Sequence, residues 1–140
     1  MLAAEAVGIG RRALEVATAY AKERIVFDRP IGANQAIAHP LADCYSELEA
    51  ADLLWQKAAW VYDQGETAGA EANMAKLRAA EAGFRACDQA LQTLGGFGYA
   101  NEFNVGRYWG EARLMRLAPI SQEMARNYIA ERVLGLPRSY

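Results

Sequence analysis

Three short segments carry residue types suited to chemistry rather than to plain packing. The first is Arg24-Ile25-Val26-Phe27, followed by Pro30-Ile31 and then Gln35. A guanidinium is a rigid fork of donors that matches a phosphate or pyrophosphate, and Phe27 beside it offers a face for a flat ring. The plainer account is that an arginine closing a helix complements the helix dipole. The second segment is Gln92-Thr93-Leu94-Gly95-Gly96-Phe97-Gly98-Tyr99. One glycine suffices to end a helix; three between a Gln and a Tyr leave room for a ligand or another chain to approach the backbone. The third is Ala118-Pro119-Ile120-Ser121-Gln122. A hydroxyl and free backbone N–H groups at a helix start can hold an anion or a carbonyl, or Ser121 can simply cap the helix.

The elements that must carry these segments are helices. Apolar residues recur at helical spacing along Leu2, Ala6, Ile9, Ala13, Val16 and Tyr20, and again from Ile37 through Leu48 and Trp55 to Tyr62. A third run presents Ala75, Ala79, Ala82 and Ala86, small enough for close approach to a neighbour, which places that helix centrally. A last run is expected from Ile120 to Leu134, led by Met124, Tyr128, Ile129 and Val133. Breaks fall at Phe27–Gly32, with Asn34 as N-cap, and at Gly65, with Thr67 capping the third helix. Another falls at Gly95–Gly98, where three glycines are expected to stop helical structure altogether. A short helix near 104–115 precedes Pro119, expected in the first turn of the last helix. Pro40 removes a backbone bond and is expected to kink the start of helix two. With no strand signal and no linker, residues 1–140 read as one all-α domain, an up-down-up-down four-helix bundle with one short extra helix before the last. Trp55, Trp60, Tyr45 and Tyr62 fall on more than one face, which points to a homo-oligomer or to docking on another domain.

Composition narrows the function. The 140 residues hold 15 basic and 17 acidic side chains, a net charge of −2. Nucleic-acid binding needs a basic stripe that is missing here. No apolar run nears the ~20 residues of a membrane span, and the first residues lack the pattern of a signal peptide. Cys44 and Cys87 sit in alanine-rich stretches as small core hydrophobes, and a reduced, cytoplasmic setting is the default. His39 is the sole histidine, precedes Pro40 and reads as a surface residue. There is no Glu-x-x-His pattern, so a metal core is not expected.

The ordered set Arg24-x-x-Phe27-x-x-Pro30-Ile31, Gln35, Leu41-Ala42-Asp43, Ala75-Lys76, Gln92-x-x-Gly95-Gly96-x-Gly98-Tyr99, Glu111-Ala112-Arg113 and Ser121 resembles the motif series of the acyl-CoA dehydrogenase C-terminal domain. Single items are weak; their order and spacing are specific, and the match runs from about residue 3 to 135. The resemblance implies a larger enzyme with an N-terminal helical domain and a middle β domain, a dimer or tetramer whose FAD lies between neighbouring subunits. It implies acyl-CoA as substrate and electron transfer flavoprotein as acceptor. By matched position, Arg24 binds the FAD pyrophosphate and Phe27 packs at the adenosine side. Gln35, Gln92 and Gly96 hold the adenosine-diphosphate end, Gly95 gives backbone clearance, and Ser121 takes the slot of a family threonine near the same subunit's cofactor. Lys76 and Asp43 match but read as structural.

The family reaction removes a proton α to a thioester while hydride passes from the β carbon to the flavin. The base is often the Glu of a Tyr-Glu-Gly-Thr segment, and here Pro119 stands in that slot. Other members place it on the first helix, which here falls about two residues before Met1. Glu123 and Glu5 are the nearest acidic residues, each offset by one turn or more along its helix. The expectation is a domain with no catalytic residue of its own, inactive alone. The alternative is a helical interaction module that kept the fold and lost the cofactor.

Overall fold

The computed structural model describes residues 1–138. Helix α1 spans Leu2–Glu23, α2 Gln35–Asp63 and α3 Gly69–Leu94. Two shorter helices follow, a single turn α4 at Gly96–Tyr99 and α5 at Val105–Met115. The last, α6, covers Gln122–Tyr128 and continues into a π-helical stretch at Ile129–Val133. The domain is the expected all-α bundle, with α3 in contact with α1, α2, α5 and α6 and so at its centre.

Side-chain pairs fix the helix directions. Arg11 of α1 bridges Glu49 and Asp52 of α2 at 2.7 and 3.1 Å; the head of α1 lines a cavity with Trp55 and Tyr62 and its tail lines another with Ala38 and Leu41, so these helices run antiparallel. Arg85 of α3 pairs with Glu47 and Asp43 of α2, and Lys57 with Glu71, which makes α2 and α3 antiparallel as well. Hence α1 and α3 run parallel. Their crossing is built from glycine. A methyl group on Gly10 would lie 2.8 Å from Leu48 Cδ2 and 2.9 Å from Gly83 Cα, and one on Gly83 would overlap the Ala6 carbonyl. Around this crossing the core is small and dense: Ala13, Ala17, Ala79, Ala86, Ala90, Cys87 and Leu48 are all fully enclosed.

Several local expectations are corrected. Residues 25–30 form a two-stranded antiparallel ribbon, Ile25–Val26 against Arg29–Pro30, where no strand was expected. Its two-residue turn puts Phe27 and Asp28 at φ 52° and 61°. Such turns normally call for Asn-Gly or Asp-Gly, so Phe-Asp gave no signal. The glycine segment does not end helical structure. Gly95 at φ 59° and ψ −131° breaks α3, and one new helical turn starts in a different direction at Gly96. Ala68, not Thr67, holds the N-cap position of α3. Pro119 lies in the loop ahead of α6, outside its first turn, because Ser121 is the N-cap. The last helical run covers residues 122–133, close to its expected span, with Tyr128 and Ile129 half-buried, but part of the apolar stripe assigned to it is misplaced. Gln122 and Ala125 are buried while Met124 and Val133 are about half exposed. Helix α2 continues through Pro40, whose missing donor affects only a first-turn carbonyl.

Two stability predictions follow from this packing. Gly83→Ala should destabilise the domain by ~1–3 kcal/mol through overpacking. Gly8→Ala, with nothing within 4 Å of the added carbon, should stabilise α1 by ~0.5–1 kcal/mol. Denaturant midpoints of the two variants check this; equal shifts would mean the crossing is not tight. Burial pushes the Cys87 thiol up to about 12. The unfolded thiol ionises at ordinary alkaline pH while the folded one stays protonated. Stability should therefore fall as pH rises above about 9, by at most ~1.4 kcal/mol per pH unit from this group. Cys87→Ala should flatten that fall between pH 9 and 11 in pH-dependent denaturation.

Candidate functional site

The helix directions bring the C-terminus of α1, the N-terminus of α2 and the C-terminus of α3 to one end of the bundle. Arg24 is the C-cap of α1; its N–H donates to the Tyr20 carbonyl at 2.8 Å and its ψ of 113° turns the chain into the ribbon. Its guanidinium is exposed and has no ion-pair partner among the described residues. Phe27 stands at the ribbon tip, 94% exposed. Gln35 opens α2 and is exposed. Across from them, Gln92 sits exposed in the last turn of α3, and its carbonyl accepts the Gly95 N–H at 3.2 Å. The Tyr20 and Phe97 rings, 6.1 Å apart and edge to face, tie the last turn of α1 directly to the glycine corner. Phe97 stacks on to Phe103 at 5.3 Å. Six of the seven expected cofactor residues, Arg24, Phe27, Gln35, Gln92, Gly95 and Gly96, thus share one end.

The glycines at that corner differ in why they are there. Gly95 needs its positive φ. Gly98 needs its lack of a side chain, because an added carbon would lie 2.6 Å from the Leu91 carbonyl. Gly96 has ordinary helical geometry and nothing within 4 Å of an added carbon. Nothing inside the domain demands glycine at 96, and the space above it is open.

Ser121 is elsewhere. The Lys76 ammonium, buried in α3, donates to the Ile120 carbonyl across 44 residues of sequence. Residue 76 lies 19 positions before Gly95, or ~28 Å along a helix. Ser121 is therefore held at the opposite end, and its hydroxyl accepts the Met124 N–H at 3.3 Å as an N-cap. Burial pushes the Lys76 ammonium below the ordinary lysine range. Lys76 was expected to be structural; it anchors the loop that carries Pro119 and Ser121. Asp43, read the same way, lies 3.8 Å from Arg85.

The same end holds a cavity of about 510 Å³ between Met1, Leu2, Trp55, Tyr62, Lys76 and Ile120. The head of α1 and the segment before α6 share it. Exposed Glu123 lies one turn beyond; its own backbone N–H, then the Ser121 hydroxyl, hold its carboxyl below the usual range. Glu5 is exposed and is not among the residues lining the cavity. His39 is exposed, and no group of three or more potential metal ligands gathers among the described residues. No helix among them is long and apolar enough to cross a membrane.

Residues 1–134 match the family model described as acyl-CoA dehydrogenase, C-terminal domain. The chain belongs to the acyl-CoA dehydrogenase family. It is 55% identical to acyl-CoA dehydrogenase FadE12 of Mycobacterium tuberculosis (strain ATCC 25618 / H37Rv), over 100% of this chain and 37% of that protein. Among solved structures, butyryl-CoA dehydrogenase from Megasphaera elsdenii superposes with a TM-score of 0.92 at 32% identity, covering 95% of this chain and 35% of the other. The FAD complex of PigA superposes at 0.91 with 32% identity, covering 96% and 35%. The chain thus spans little more than a third of the length of each of these proteins.

Reasoning from sequence missed the bond between Arg29 and Asn34, which lies beside this site. An arginine five residues from an asparagine has no local pattern that announces it. The Lys76 anchor predicts that Lys76→Met loosens the α5–α6 connection. Loss of a bond worth roughly 1.5–3 kcal/mol should speed amide exchange from Gln122 to Ala125 tenfold or more, with the α1–α3 core unchanged. Unaltered exchange there would show that the ammonium does not hold the segment.

Proposed function

We propose that this domain forms one wall of the flavin site in an FAD-dependent acyl-CoA dehydrogenase, and that its Arg24 corner receives the nucleotide half of FAD. The carrying observation is the convergence of an exposed guanidinium with no ion-pair partner among the described residues, an exposed aromatic ring and a glycine with open space above it at one bundle end. These residues fit the cofactor. Arg24 supplies charge-assisted bonds to the pyrophosphate. Phe27 covers the adenosine side. Gln35 and Gln92 offer amides to the adenosine-diphosphate end, and Gly95 and Gly96 let its backbone approach. At the far end Ser121 faces a second cofactor, the one bound by its own subunit. When bound, FAD supplies the acceptor for hydride from the β carbon of an acyl-CoA.

In this reading the domain provides binding and orientation and no base. Pro119 has no group that takes a proton, and Glu123 is held ionised at the surface. The proton acceptor acts from outside the residues described, toward the cavity shared by Met1 and Ile120. Electron transfer flavoprotein is the proposed electron acceptor. The outer face of α2, with Tyr45, Leu53 and Trp60 more than half exposed, supports packing into a dimer or tetramer. The buried free thiols Cys44 and Cys87 suit a reduced, cytoplasmic compartment.

Arg24→Ala in the FAD-loaded enzyme that contains this domain should weaken FAD retention. One charge-assisted contact is worth about 1.5–3 kcal/mol, a tenfold or greater rise in the dissociation constant. Gly96→Ala should weaken FAD in the same direction without lowering the melting temperature of the FAD-free protein. Flavin fluorescence titration reads both, and unchanged affinity in both variants would contradict the proposal.

A further inference from the structure

We propose that Arg29 and Asn34 form a positioning clasp that holds the Phe27 ribbon in its cofactor-receiving shape; this rests on the flavin reading above. The first observation is a diverted cap. Asn34 occupies the N-cap position of α2, where an asparagine normally accepts an N–H from the first turn. Its side chain makes no such bond. Asn34 Oδ1 instead accepts from Arg29 Nη2 at 2.6 Å, and Nδ2 donates to the Ile31 carbonyl at 3.0 Å. Both halves of the amide are turned back toward the ribbon and the turn that follows it.

The second observation is that the ribbon cannot hold itself. Each strand has two residues, and isolated hairpins are marginal even when longer. Its turn places two side-chain-bearing residues, Phe27 and Asp28, in left-handed conformations, which cost energy outside glycine. Phe27 gains nothing in return from packing, since it is almost wholly exposed. The Ile31 N–H closes the base of the ribbon on the Arg24 carbonyl at 2.9 Å. The Arg29–Asn34 bond closes it from the side, with Arg29 directly opposite Val26. The strained turn is thereby fixed before any ligand arrives, so the ordering cost does not fall on binding. Arg29 acts through Asn34 and the ribbon and does not touch FAD.

The test is a double-mutant cycle on the FAD dissociation constant of the enzyme containing this domain, with Arg24→Ala as reference. Arg29→Ala and Asn34→Ala should each weaken FAD about tenfold, and the double variant should be no weaker than either single one. Asn34→Asp, which keeps an acceptor for Arg29, should restore most of the affinity. Amide exchange at Phe27 and Asp28 in the FAD-free protein should speed in Asn34→Ala and recover in Asn34→Asp. Loss with Arg29→Ala but not Asn34→Ala would make Arg29 a direct ligand and overturn the clasp. Additive losses would overturn it too, as would wild-type affinity in every clasp variant while Arg24→Ala weakens FAD. If Arg24→Ala also leaves FAD affinity unchanged, the flavin reading itself fails.

Discussion

Two helices approach backbone to backbone only where neither places a side chain between them. Gly10 and Gly83 make that contact, and the rest of the domain is arranged around it. It holds α1 and α3 parallel and in register, so that their C-termini finish at the same end. The alanines on both sides keep the approach close along several turns. The Tyr20–Phe97 ring contact is the last link in that line, and it sets the separation between Arg24 and the glycine corner. A core of small residues thus serves a site made of residues it never touches.

The two ends of the bundle differ in chemistry. One end presents a cation unpaired among the described residues, amides and open backbone, groups of the kind that bind phosphate. The other presents a mostly apolar cavity, a buried ammonium anchoring a loop, and a capped helix start. About 28 Å of α3 separates them, and in the proposed reading one copy of the domain therefore serves two cofactor positions in an assembly. The strained turn at Phe27 fits this division. Backbone strain at a fully exposed ring has no packing benefit within the domain, which is the pattern of a segment shaped for a ligand.

Much of this was legible in the sequence. Three long amphipathic runs gave α1, α2 and α3, because each buries one face and the 3.6-residue period follows. The glycine-rich corner and Arg24 stood out because their residue types exceed what a helix end needs. What escaped was set by tertiary contacts. The ribbon at 25–30 depends on a clasp from Asn34, and no local propensity predicts a Phe-Asp turn. The last helix was misjudged because Gln122 is buried through Arg116, whose Nε donates to Gln122 Oε1 at 3.1 Å, while Met124 faces outward. A hydrophobic pattern cannot show a polar residue going inside. The chemistry of Lys76 was legible only as a match; its bond to Ile120 joins segments far apart in the chain.

The central claim is that both corners seat one nucleotide. Hydrogen exchange of the FAD-free enzyme containing this domain, with and without adenosine diphosphate, tests it most directly. The account predicts that this nucleotide protects amides in residues 24–35 and 92–99 together, and leaves residues 120–124 unprotected. Protection at one corner alone, or at the Ser121 end instead, would contradict it.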